Sequence, residues 1–91
     1  MTTQKKPNPT KARIAKAISK VFGVPLADVR GVVFKGHEDV GEWNPSADFI
    51  IHLEGIGLPY EYAETQWKEI EELAGIWIEP YNSCVLSAYK D

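Results

Sequence analysis

A single cysteine, Cys84, in 91 residues excludes an intramolecular disulfide and a cysteine zinc cluster. The chain must therefore hold together without a covalent staple, and a single cysteine suits a reducing, cytoplasmic setting. No apolar run approaches the roughly 20 residues needed to span a bilayer. The opening MTTQKKPNPTK also lacks the apolar centre of a signal peptide, so the expectation is a soluble, unexported protein with no membrane partner. Acidic residues are nearly missing from the first third: residues 1–35 hold Asp28 against eight bases, a net of +7, whereas residues 36–91 hold two bases and twelve acids, a net of −10. Such a division suits a polyanion-binding or self-complementary surface, or two oppositely charged elements lying side by side.

A hydrophobic content of 44% with 25% charged residues is ordinary globular composition, and it predicts one small α+β domain over residues 10–91. Residues 1–9, basic and broken by Pro7 and Pro9, are expected to form a flexible arm. Helical spacing of Ile14, Ala15, Ile18, Val21 and Phe22 then predicts a helix from an N-cap at Thr10 to Gly23. A strand is expected across VRGVVFKG, with Val32 and Phe34 on one face and Val33 on the other. ADFIIHLE predicts a second, with Phe49, Ile51 and Leu53 opposed to Ile50 and His52. Leu58–Tyr62 alternates as a short edge strand, limited to an edge by Pro59. A second helix over residues 65–74 buries Trp67, Ile70, Leu73 and Ala74, and residues 76–89 form a hairpin turning at residues 80–83. The order α-β-β-(β)-α-β-β predicts a two-layer sandwich: an antiparallel sheet of four to five strands with both helices on one face.

The α-β-β-β-α part of this order is also that of double-stranded-RNA-binding domains. Those domains set lysines at the start of the second helix, where this chain crowds Glu61, Glu64, Glu69, Glu71 and Glu72 around Lys68, so the order implies no family.

Three surfaces could carry a function. The loop GHEDVGEWNPS, residues 36–46, gathers His37, Glu38, Asp39 and Glu42, which could ligate a divalent ion in a small metal-assisted enzyme, but their spacing fits no known metal motif. The plainer reading is a solvated acidic loop whose Trp43 folds back on the core or anchors a partner. The basic first helix sets Arg13, Lys16 and Lys20 in one outward stripe that Lys5 and Lys6 could extend, a candidate surface for nucleic acid. The sheet face away from the helices is expected to collect Val33, Ile50, His52, Trp77, Val85 and Tyr89, too apolar for water alone. Of these, Ile50, His52, Trp77, Val85 and Tyr89 form the expected partner-binding set together with Trp43. No nucleophile–base arrangement, phosphate loop or carboxylate pair can be read from the spacing, so neither catalytic residues nor a cofactor or resident metal is expected. The leading expectation is a non-enzymatic protein-binding module of adaptor or inhibitor type, homodimeric, in the manner of small acidic phage or mobile-element proteins. Nucleic-acid binding is the first alternative.

Overall fold

The computed structural model describes residues 9–36, 46–82 and 84–90. Helix α1 (Lys11–Phe22) starts where Thr10 Oγ1 accepts a hydrogen bond from Arg13 N–H at 3.0 Å, and it stops at Gly23 in the left-handed region (φ 69°). A five-residue helix, α2 (Leu26–Arg30), follows Pro25, whose carbonyl accepts from Asp28 and Val29. Strands β1 (Val33–Lys35) and β2 (Phe49–His52) flank residues 37–45, and a 3-10 turn at Glu54–Ile56 leads towards α3 (Glu64–Ala74). Strands β3 (Ile76–Pro80) and β4 (Val85–Lys90) close the chain.

All pairings in the four-stranded sheet are antiparallel, in the order β1-β2-β4-β3. Because β4 inserts between β2 and β3, those two strands run parallel and α3 makes the crossover between them. Ile14 and Ile18 from α1, Val29 from α2 and Trp67 and Ile70 from α3 share one core with Val33, Ile51, Leu86, Ala88 and Ile78 of the sheet. All three helices thus cover the same face, the two-layer α+β sandwich that the periodicities predict.

The structure departs from the sequence reading in three places. Residues 26–30, read as loop and strand onset, form α2. The strand expected across residues 29–36 shrinks to Val33–Lys35, and its parity is reversed. Val33 pairs with Ile51 and faces the helices, while Phe34 pairs with Ile50 on the other face. Val32 is buried as well, but from the turn that precedes β1, so two adjacent valines reach the core and alternation alone could not choose between them. Residues 58–62 are the third departure, since they join no ladder. Gly57 at φ 64° and Tyr62 at φ 63° turn the backbone repeatedly, and Leu58 and Tyr60 pack on the core as irregular chain.

Strand β3 is an edge of the sheet, and unpaired edge N–H groups invite strand addition from another chain. Glu71 on α3 answers this. Its Oε2 accepts from Ile78 N–H at 2.6 Å, so that N–H points away from β4 into a side chain, and two residues on Pro80 has no N–H to offer. Glu71→Ala should lose about 1.5–3 kcal/mol, the range for a hydrogen bond to a charged group whose partner is left behind. Glu71→Gln, which keeps an acceptor oxygen, should recover part of it. Urea denaturation of the three proteins measures both differences.

Candidate functional site

The face of the sheet opposite the helices is organised by the β3–β4 hairpin. Its turn is tied by side-chain and backbone bonds together. Asn82 Oδ1 accepts from Cys84 N–H at 2.8 Å and Val85 N–H at 2.9 Å, and Tyr81 N–H donates to the Val85 carbonyl at 2.8 Å. At the far end Asp48 N–H donates to the Ala88 carbonyl, and Asp48 Oδ2 accepts from Lys90 N–H at 2.8 Å. With both ends of β4 fixed, the register sets Trp77 beside Tyr89 and Glu79 beside Ser87. The two rings stack with centroids 4.6 Å apart at 21°, an offset pair of the kind that adds about 0.5–1.5 kcal/mol beyond buried area.

The face is graded across its width. Towards β1 and β2 it is closed: Ile50 and Val85 are buried with Ala47, while Cys84 and Tyr89 pack against them. Ser87, cross-strand from Ile50, is 1% exposed, and its hydroxyl has no hydrogen-bond partner among the described residues. Phe34 meets His52 edge-on at 5.4 Å and 86°, and Lys11 Nζ lies 5.8 Å from the centre of the Phe34 ring, reaching around the β1 edge. Towards β3 the face opens. Trp77 is 44% exposed although stacked, the carboxylate-bearing Glu79 two residues on is exposed too, and Tyr81 in the turn beyond is similarly exposed.

Of the partner-binding set read from the sequence, Ile50, His52, Trp77, Val85 and Tyr89 do share this face. Ile50 and Val85 are buried within it, His52 and Tyr89 are half-buried, and Trp77 is the member that presents a large surface. Tyr81 and Ser87 were not part of that set. Strand parity would have found Ser87, whereas Tyr81 sits in a turn where parity lapses. Trp43 lies outside the described residues, as do His37, Glu38, Asp39 and Glu42 of the proposed metal loop and Lys5 and Lys6 of the arm. Among the described residues no group of three His, Cys, Asp or Glu side chains could hold a metal ion.

Arg13, Lys16 and Lys20 are all exposed on α1, as the spacing predicts. Their neighbour matters more than their number. Helix α3 packs beside α1, through Phe22 and Trp67 whose ring centroids lie 5.1 Å apart, and its Glu64, Glu69 and Glu72 are exposed. One helix layer thus carries both signs, which weakens the positive potential that a polyanion would meet. No described helix is long and apolar enough to cross a membrane. Compared with protein-family models, with curated proteins and with solved structures, the chain matches none.

Proposed function

We propose that this domain is a non-enzymatic protein-binding module, and that its contact surface is the aromatic ridge of Trp77, Tyr89 and Tyr81 with Glu79 as acidic rim. The observation that carries the reading is Trp77: a tryptophan held rigid by stacking, yet 44% exposed, on a sheet face whose centre is already closed by Ile50 and Val85. A preorganised aromatic loses little freedom on binding, and tryptophan and tyrosine dominate the residues that anchor interfaces. The same ridge can meet its own copy about a two-fold axis, so a homodimer is the first complex to test.

Wild-type protein at micromolar concentration is expected to sediment as a dimer. Trp77→Ala should weaken association at least 30-fold, the equivalent of about 2 kcal/mol at an interface anchor, with the melting temperature lowered by about 4–8 °C through loss of the Tyr89 stack. A wild-type monomer at all concentrations would remove the homodimer, and a Trp77→Ala protein that still dimerises would remove the ridge. The exposed α1 stripe supports the alternative of nucleic-acid binding. That reading requires a gel shift that fades steeply with salt and is lost on joint Arg13→Glu and Lys16→Glu substitution.

A further inference from the structure

Residues 58–62 and the β3–β4 turn form a groove of about 700 Å3 that shares no lining residue with the ridge, with Pro59, Tyr60, Glu61 and Tyr62 on one side and Pro80 and Asn82, the neighbours of Tyr81, on the other. We propose that this groove binds an extended, proline-containing peptide segment bearing basic residues, supplied by a partner protein.

Tyr62 is the first reason. It adopts φ 63°, a left-handed conformation disfavoured for any residue with a Cβ, and the residue is 94% exposed. Burial of the ring within the chain does not offset that strain. The result is an aromatic side chain at the rim of a groove and open to a ligand.

The second reason is rigidity beneath it. The Pro59 carbonyl accepts from Trp67 Nε1 at 2.9 Å, and the Tyr60 ring lies 6.3 Å from Trp67. Leu58 N–H donates to the Leu53 carbonyl, and Ala63 N–H to the Tyr60 carbonyl. One wall of the groove is thus bolted to a core tryptophan and formed before any ligand arrives, which reduces the ordering cost of binding.

Chemistry selects the occupant. A polyproline-type segment makes no internal hydrogen bonds, presents its carbonyls to the surroundings and docks on aromatic-lined grooves. Tyr60, Tyr62 and the two prolines offer flat apolar walls for pyrrolidine rings. Donors for the carbonyls come from the phenol groups and from Asn82, whose Oδ1 is occupied by Cys84 and Val85 N–H groups so that its amide nitrogen is the remaining polar atom. Glu61 is the charged residue of the lining, and the exposed Glu64 follows it at the start of α3. That acidic frame favours lysine or arginine beside the prolines.

The test uses the 91-residue chain and a fluorescently labelled decapeptide of alternating prolines with two flanking lysines, read by anisotropy. Binding is expected, and a peptide with alanine in place of every proline should bind at least tenfold more weakly. Tyr62→Gly should reduce affinity at least tenfold without lowering the melting temperature, since glycine accepts the left-handed backbone, and Glu61→Lys should act in the same direction. Trp77→Ala should bind the peptide as wild type does, which separates this site from the ridge. Absence of binding at millimolar peptide, or binding that Tyr62→Gly does not change, overturns the proposal. So does a groove that serves a second copy instead, seen as self-association abolished by Tyr62→Gly with no peptide bound.

Discussion

Trp67→Ala is expected to cost about 3–5 kcal/mol, enough to leave a domain of this size largely unfolded at 37 °C if its total stability lies near the lower end of the usual 5–15 kcal/mol. Three separate functions of the side chain are lost together. It is 3% exposed at the centre of the helix layer, its ring meets Phe22 of α1 at 5.1 Å and 53°, and its Nε1–H satisfies the Pro59 carbonyl at 2.9 Å. The ring should outweigh the hydrogen bond. A net hydrogen bond is worth about 1 kcal/mol, whereas the cavity left by an indole leaves α1, α3 and residues 58–62 without a common contact. Trp67→Phe isolates the difference, because it keeps most of the apolar ring and removes the donor, and it should cost roughly 1–2 kcal/mol. Thermal denaturation followed by far-ultraviolet circular dichroism reads both, at about 4–8 °C of melting temperature per kcal/mol for a domain of 60–100 residues. Equal losses for the two variants would mean that the hydrogen bond, and not the ring, fixes residues 58–62.

Where the sequence is legible, two independent signals coincide. Thr10 and Gly23 bracket a run of apolar residues at helical spacing, and the structure starts and stops α1 at those residues. Gly75 does the same for the end of α3. In β2, β3 and β4 a polar residue, His52, Glu79 or Ser87, marks the outer parity, so parity could assign Phe49, Ile51, Ile76, Ile78, Leu86 and Ala88 to the helix face, where they are found. Parity is mute in Val32-Val33-Phe34, three apolar residues in a row. There the choice of face was made by the register against Ile51, a contact eighteen residues away. Helix α2 is too short to show a period, and only Pro25 followed by Leu-Ala-Asp marked its start. Leu58–Tyr62 alternates without becoming a strand, since alternation shows that two side chains point one way but not that a ladder partner exists.

The candidate surfaces divide along the same line. Trp77 and Tyr89 could be placed on one face from spacing alone, whereas their stacking needed the hairpin register. The burial of Ile50 and Val85 on that face could not be read from parity, which sorts residues between faces but says nothing of depth. The groove between residues 58–62 and Pro80–Asn82 joins segments about twenty residues apart, and no local pattern announces it.

Gly36→Ala is the second substitution expected to act strongly, and the reason is backbone rather than side-chain packing. Gly36 N–H donates to the Asp48 carbonyl at 2.9 Å, continuing the β1–β2 ladder one step past Lys35 and Phe49. The two chains approach so closely there that a Cβ on residue 36 would collide with the carbonyl oxygen of Ala47 and crowd its carbonyl carbon. A flexible side chain could swing aside; a carbonyl held in a hairpin stem cannot. Overpacking of this kind costs typically 1–3 kcal/mol, and with rigid atoms on both sides the upper part of the range is expected, a melting temperature lower by roughly 10–20 °C. The strain has a second outlet, because β1 is three residues long and lies at the sheet edge, so its detachment could relieve the clash while the rest of the core stays folded. Amide exchange separates the two. Detachment would strip protection from Gly36 and the β1 ladder and leave Ile78 and Leu86 protected, with a smaller fall in melting temperature, whereas global destabilisation would lower protection throughout. The global outcome is expected, since Val33 on β1 is fully buried against the helices and cannot leave without exposing the shared core.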